Sequence, residues 1–124
     1  MPHPSEHTPV ARPLEAGEAE ELAETLKALA SPPRLRVLTE LVAGERTVEQ
    51  LAQAADLTLS ATSHHLRLLR MLKLVRARRD GRHVVYSPHD HHLADLLAAV
   101  RHHHEHVHPP APVELPSSSE ERIA

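Results

Sequence analysis

The chain has 124 residues, with 14 Lys plus Arg, 17 Asp plus Glu, 13 His, no Cys and a single aromatic, Tyr86. That length suits one domain and is too short for two independent cores. With no Cys it has no disulfides, thiolate metal sites, iron–sulfur clusters or cysteine nucleophiles.

Met1 to Pro13 carries Pro2, Pro4, Pro9 and Pro13 among polar residues and reads as a flexible arm. From Leu14 to Ala30 the apolar residues Leu22, Ala23, Leu26, Leu29 and Ala30 recur at a helical period, with acids in the first turns. Ser31-Pro32-Pro33 ends that helix and opens another, because Ser caps and Pro suits a first helical turn. The second helix carries Leu35, Val37, Leu38, Leu41 and Val42 to a stop at Gly44. Thr47-Val48-Glu49-Gln50 is a capping-box pattern for a short third helix through Ala54. After a turn at Asp56 to Leu59, Ser60 is expected to cap a fourth helix with Leu66, Leu69 and Leu72 facing inward. Leu74 to Arg79 and Arg82 to Ser87 read as strands joined at Asp80-Gly81, a pair suited to a type I′ turn with positive φ at both central residues. A last helix is expected from about Asp90 to His106, and Pro109 to Ala124 reads as a disordered tail.

The expected division is therefore an arm at 1–13, a folded domain at 14–108 and a tail at 109–124. No run approaches the ~20 apolar residues of a membrane span, and the first ten residues hold no signal-peptide core. The cytoplasm is the expected compartment.

Charge is laid out unevenly. Between Ser31 and Pro88, ten Lys or Arg against five acids leave +5, so the rest of the chain carries −8. Seven of those cations lie between Arg67 and Arg82. A concentrated basic patch in an acidic protein points to a polyanion bound at one place. Three helices followed by a basic hairpin make a winged helix-turn-helix, mainly α with a β-hairpin, whose fourth helix enters the major groove of double-stranded DNA. Ser60, Thr62, Ser63, His64, His65 and Arg67 are the expected base-edge readers on that helix. Arg76, Arg78, Arg79 and Arg82 on the hairpin are placed to neutralise phosphates.

The stretches Leu29-Ala30-Ser31-Pro32-Pro33-Arg34-Leu35-Arg36-Val37-Leu38, Ser60 to Leu69 and Asp80-Gly81-Arg82-His83-Val84-Val85-Tyr86-Ser87 closely resemble the ArsR/SmtB family of metal-sensing repressors. The resemblance spans roughly Ala19 to His108. The family's thiolate site on the third helix is missing, which removes arsenic, antimony, cadmium and lead sensing through such a site.

Eight of the 13 His fall between His89 and His108. His92, Leu96, Ala99, His103 and His106 are spaced by four, three, four and three, so they share one helical stripe. Yet His92 and His103 are eleven residues apart, about 16 Å along a helix at ~1.5 Å per residue. Ligands about 2 Å from one metal cannot span that distance. Two such helices, antiparallel across a dyad, would bring Asp90 and His92 of one chain to His103 and His106 of the other, giving two equivalent sites in a homodimer joined through its terminal helices. Asp90-x-His92 and His103-x-x-His106 also match the fifth-helix metal motif of the family, whose four positions form a tetrahedral zinc or cobalt site.

Three imidazoles and a carboxylate suit Zn(II). Ni(II) and Co(II) more often take six nitrogen or oxygen ligands, and His3, His7 and His108 are spare. The arrangement resembles the NmtR-type nickel/cobalt sensors, in which the N-terminal amine, a His at position three and a His two past the motif add ligands. Removal of Met1 would leave a secondary amine on Pro2 beside His3. The sequence thus predicts a metal-responsive repressor that leaves operator DNA on binding Ni(II)/Co(II) or Zn(II), derepressing a metal efflux gene, with transmission from His103 toward the fourth helix. The competing classes are a metal-independent winged-helix regulator and a histidine-rich metal buffer. An enzyme is not expected, because no nucleophile–base pair appears.

Overall fold

A computed structural model describes residues 12–111. In chain order the elements are α1 (Ala16–Leu29), α2 (Pro32–Ala43), β1 (Arg46–Thr47), α3 (Val48–Ala55), α4 (Leu59–Met71), β2 (Val75–Asp80), β3 (His83–Pro88) and α5 (His91–Val107). The strands form an antiparallel sheet ordered β1-β3-β2. Most of the expected arm (1–13) and of the expected tail (109–124), namely residues 1–11 and 112–124, lies outside the described residues.

Local chemistry sets most boundaries. Ser31 Oγ accepts from the Arg34 amide at 3.4 Å at the start of α2, with Pro32 opening the helix, and Gly44 closes it. Thr47 and Gln50 form the reciprocal capping box expected for α3. The Glu18 carboxylate accepts from the Glu15 amide at 3.4 Å, so α1 starts at Ala16, two residues later than its apolar period implies.

Three details differ from the sequence reading. The cap of α4 is Thr58, whose Oγ1 accepts from the Ala61 amide at 3.0 Å; Ser60 already lies inside the helix. The hairpin turns at Gly81-Arg82, because Asp80 pairs with His83. Gly81 has φ 65° while Arg82 is not among the positive-φ residues, the sign pattern of a type II′ turn and not of type I′. The short strand β1 has no signature in its own residues and exists only by pairing Arg46 with Tyr86 and Thr47 with Val85.

The core is one cluster in which Val37, Leu38 and Leu41 of α2 meet Leu51 and Ala55 of α3, Leu66 and Leu69 of α4, Val75 of β2 and Leu93 of α5. Truncating a fully buried Leu such as Leu38 or Leu69 to Ala would cost about 2–5 kcal/mol. Helix α1 joins this core only through Ala28 and Leu29, leaving Leu22 and Leu26 45% and 58% exposed. On α5, Val100 is likewise 58% exposed.

Helix α4 ends in a left-handed turn at Lys73, where φ is 60°. The Lys73 amide donates to Arg70 O at 3.0 Å and the Leu74 amide to Leu69 O at 2.9 Å, a Schellman closure that seats Leu74 against the core. The His89 amide then donates to Leu74 O at 3.0 Å, joining this turn to the approach of α5.

Candidate nucleic-acid and metal interfaces

Helix α4 buries Thr62, Leu66 and Leu69 along one side. The opposite side presents Ser60, Ser63, His64 and Arg67, all exposed, at the i, i+3, i+4, i+7 spacing of a single stripe. No acid lies on this helix, and its N-terminal amides add partial positive charge. The result is a narrow polar ridge with hydroxyls, an imidazole and a guanidinium, groups able to meet base edges and phosphates.

Two expected readers are engaged elsewhere. Thr62 is fully buried, and its Oγ1 donates to Thr58 O at 2.8 Å, so it cannot reach a groove. Its hydroxyl is satisfied within the helix, as burial requires. His65 is half-buried, and its Nδ1 accepts from Arg34 Nε at 3.2 Å, which puts the neutral ring's proton on Nε2. Burial pushes the His65 imidazole below its usual pKa, and the charge of Arg34 and the neighbouring His64 push the same way. Arg34 also donates from Nη1 to Ala28 O at 3.2 Å. One side chain thus ties the end of α1 to α4, a role the sequence hides because His65 lies 31 residues away.

The four hairpin arginines are not equivalent. Arg76 donates to His89 O on the α5 side. Arg78 reaches across β3 to Glu45, with Nη2–Oε1 at 2.7 Å and Nε–Oε2 at 3.3 Å. The Arg78 guanidinium holds the Glu45 carboxyl below the usual carboxylate range, and Glu45 raises Arg78 in turn. Arg79 and Arg82 are exposed and make no ion pair among the described residues. Glu45, to which the sequence reading assigns no role, is thus the internal competitor for one wing cation.

On α5 the N-terminal donors come together. Asp90 caps the helix, its Oδ1 accepting from the His92 amide at 2.9 Å and lying 3.1 Å from His92 Nδ1; Oδ2 lies 3.4 Å from His89 Nδ1. The His92 amide, then the His92 and His89 rings, hold the Asp90 carboxyl below its ordinary range. Asp90 and His92 line a hollow with Lys73, Leu74, Leu93 and Leu96, beside the turn that ends α4.

His103 and His106 are exposed on the same stripe at the far end of α5. Among the described residues, no group of three or more His, Asp or Glu within one protomer stands close enough to hold a metal ion. The donor types suit a transition ion, but within one protomer Asp90 and His92 stand at one end of α5 and His103 and His106 at the other. His108 follows the last residue of α5 on another side of the helix, its ring 4.8 Å from that of His104. His3 lies outside the described residues.

Residues 31–77 match the family described as "Bacterial regulatory protein, arsR family". The chain is 48% identical over 96 residues to the HTH-type transcriptional regulator NmtR of Mycobacterium tuberculosis, covering 77% of this chain and 80% of that protein. It is 44% identical over 86 residues to the transcriptional repressor SmtB homolog of Synechocystis, covering 69% and 65%. A homodimeric winged helix-turn-helix DNA-binding domain from Mycobacterium bovis superposes with a TM-score of 0.70 at 32% identity, over 85% of this chain and 100% of that one.

Proposed function

The chain belongs to the arsR family of bacterial regulatory proteins, and on that premise we propose that it is a homodimeric, metal-responsive repressor that holds operator DNA until metal binds. Its relatives are transcriptional regulators, so the chain acts through DNA and not as an enzyme. The observation that carries the metal reading is the division of one donor stripe between the two ends of α5. Asp90 and His92 stand together at the start, and His103 and His106 stand at the end. About 16 Å of helix separates His92 from His103 at ~1.5 Å per residue, so only an antiparallel second copy completes the set.

The apolar surface supports such a copy. Leu22 and Leu26 on α1, with Leu96 and Val100 on α5, are exposed in the single chain. Burying apolar area contributes about 25 cal/mol per Å². The resemblance of the fold to a homodimeric neighbour points the same way.

Asp90 and His92 of one chain, with His103 and His106 of the other, would hold the metal and so join the N-terminal end of one α5 to the C-terminal end of its partner. The ligands on offer are Asp90, His92, His103 and His106, with His3 and His108 as the candidates for a six-coordinate nickel or cobalt ion. The hollow holding Asp90 and His92 includes Lys73 and Leu74. His103 of a second copy, brought to that hollow, would lie beside the end of the reading helix. That is the expected route from metal to DNA, and metal then favours the state whose reading heads fit DNA less well. Ser60, Ser63, His64 and Arg67 face the bases, and Arg79 and Arg82, then Arg76 and Arg78, face phosphates. The regulated gene in this reading is a metal exporter, and the work is cytoplasmic.

The deciding experiment is fluorescence anisotropy of the dimer on its own promoter DNA, titrated with nickel, cobalt and zinc. Release by at least one metal, lost in Asp90→Ala and in His103→Ala, is expected. DNA affinity that no metal changes would leave a metal-independent regulator, and no sequence-specific binding at all would leave a metal buffer.

A further inference from the structure

The junction of α1 and α2 leaves one acceptor without its usual donor. In a continuing helix the Ala28 carbonyl would accept from the amide four residues on, but that residue is Pro32, which has no N–H. Ala28 is buried, so an unfilled carbonyl there would be costly. Arg34 supplies the donor, its Nη1 reaching Ala28 O at 3.2 Å. The same guanidinium donates from Nε to His65 Nδ1 at 3.2 Å. The Arg34 amide is fixed in turn by Ser31 Oγ at 3.4 Å.

His65 does not share the ridge of Ser60, Ser63, His64 and Arg67. At 3.6 residues per turn it lies about 150° round α4 from the middle of that ridge. It flanks the buried stripe of Thr62, Leu66 and Leu69, where Arg34 meets it. The apolar contacts of Leu66 and Leu69 resist separation of the helix but are non-directional. A hydrogen bond weakens steeply off its axis, so the Arg34–His65 bond also fixes an angle. Among the described residues, no other side-chain hydrogen bond joins α4 to another element.

We propose that Arg34 is a positioning residue for DNA recognition. Anchored on Ala28 O, it sets through His65 the rotation of α4 about its own axis, and so the direction in which the ridge meets base edges. Neither Arg34 nor His65 touches a base. Selective binding depends on the pair, whereas phosphate binding by the wing does not. The inference rests on the reading of α4 as the helix that enters the major groove.

The test is anisotropy of the full chain on its promoter duplex and on a scrambled duplex. Chelator is present, at about pH 8, where His65 is neutral. The quantity read is the ratio of the two affinities. Arg34→Ala and His65→Ala should each lower it about tenfold, the scale of one mismatched base pair. The double variant should lose no more than either single one. His65→Asn, whose Oδ1 can stand where Nδ1 stands, should recover most of the ratio.

A parallel fall on both duplexes with a flatter salt slope in Arg34→Ala would make Arg34 a phosphate contact and overturn the proposal. An undiminished ratio in His65→Ala would break the link and overturn it too. A ratio as low in His65→Asn as in His65→Ala would make His65 a base reader, with the same result. Should Arg34→Ala fail to fold, the two His65 variants decide alone, since both leave Ala28 O its donor. A wild-type chain that does not distinguish the duplexes would refute the reading of α4 itself, and this proposal with it.

Discussion

Replacing Arg79 and Arg82 together by Ala should flatten the salt dependence of DNA binding far more than replacing Arg78. Both Arg79 and Arg82 project from the hairpin without an ion-pair partner among the described residues, whereas Arg78 is held by Glu45 at 2.7 Å. Each phosphate neutralised contributes about 0.9 to the slope of log K against log salt. A dimer with two wings loses up to four contacts in the double variant, about 3.6 in slope. Over a fourfold rise in salt, from about 50 to about 200 mM, the wild type should then lose roughly 150-fold more affinity than the variant. Arg78 has less to offer, because moving it onto a phosphate uncovers Glu45 beside the same polyanion. Its replacement should change the slope by well under the ~1.8 that two full contacts give. Anisotropy of a labelled duplex, with chelator present, measures all three slopes. An unchanged slope in the double variant would remove the wing from the interface, and equal flattening by Arg78→Ala would show that Glu45 does not hold its partner.

The caps of α4 separate by stability: Thr58→Ala should cost about 1 kcal/mol in urea unfolding and Ser60→Ala much less, and equal costs would contradict the 3.0 Å Thr58 bond. His65 has a depressed pKa in the folded chain, so its contribution to stability is fully present above the ordinary value near 6.5 and is lost as pH falls through the folded value. The urea midpoint should drop between about pH 7.5 and about pH 5.5, less so in His65→Gln; parallel profiles would exclude this histidine as the cause. Metal affinity should also fall steeply from about pH 7.5 to about pH 6, because ligating imidazoles must be neutral; a flat profile would assign coordination to carboxylates. Deleting residues 1–7 should weaken nickel by about an order of magnitude, leave zinc nearly unchanged and turn a weak six-coordinate cobalt spectrum into a strong tetrahedral one. A strong spectrum in the intact chain would favour zinc.

Features that depend on a few neighbouring residues are legible in the sequence. The Ser31 cap, the Thr47 and Gln50 capping box and the glycine at the hairpin all act within three or four residues, and all appear where their chemistry requires. What escapes such a reading depends on distant partners. Thr58 and Ser60 are both hydroxyl caps in principle, and the choice follows from seating Leu57 against the core. Thr62 resembles a reader until the buried side of α4 is known, and β1 is defined by β3 alone. The pairing of Arg78 with Glu45 spans 33 residues. On α5 the stripe is legible from spacing, and the structure adds that Asp90 and His92 are already in contact.

If the proposed site shared between two chains is right, the split of its donors along α5 has a genetic consequence. A copy lacking Asp90 and His92 cannot form a site with another of its kind, and neither can a copy lacking His103 and His106. In a mixed dimer, however, the intact start of one helix meets the intact end of the other, so one of the two sites is whole. Two defective alleles placed in one cell should therefore complement each other and restore part of the metal response, while either alone stays locked on its operator. The same logic makes each defective allele partly dominant over the wild type, since mixed dimers keep only one site of two. A sensor whose binding site lay within a single chain would show neither behaviour.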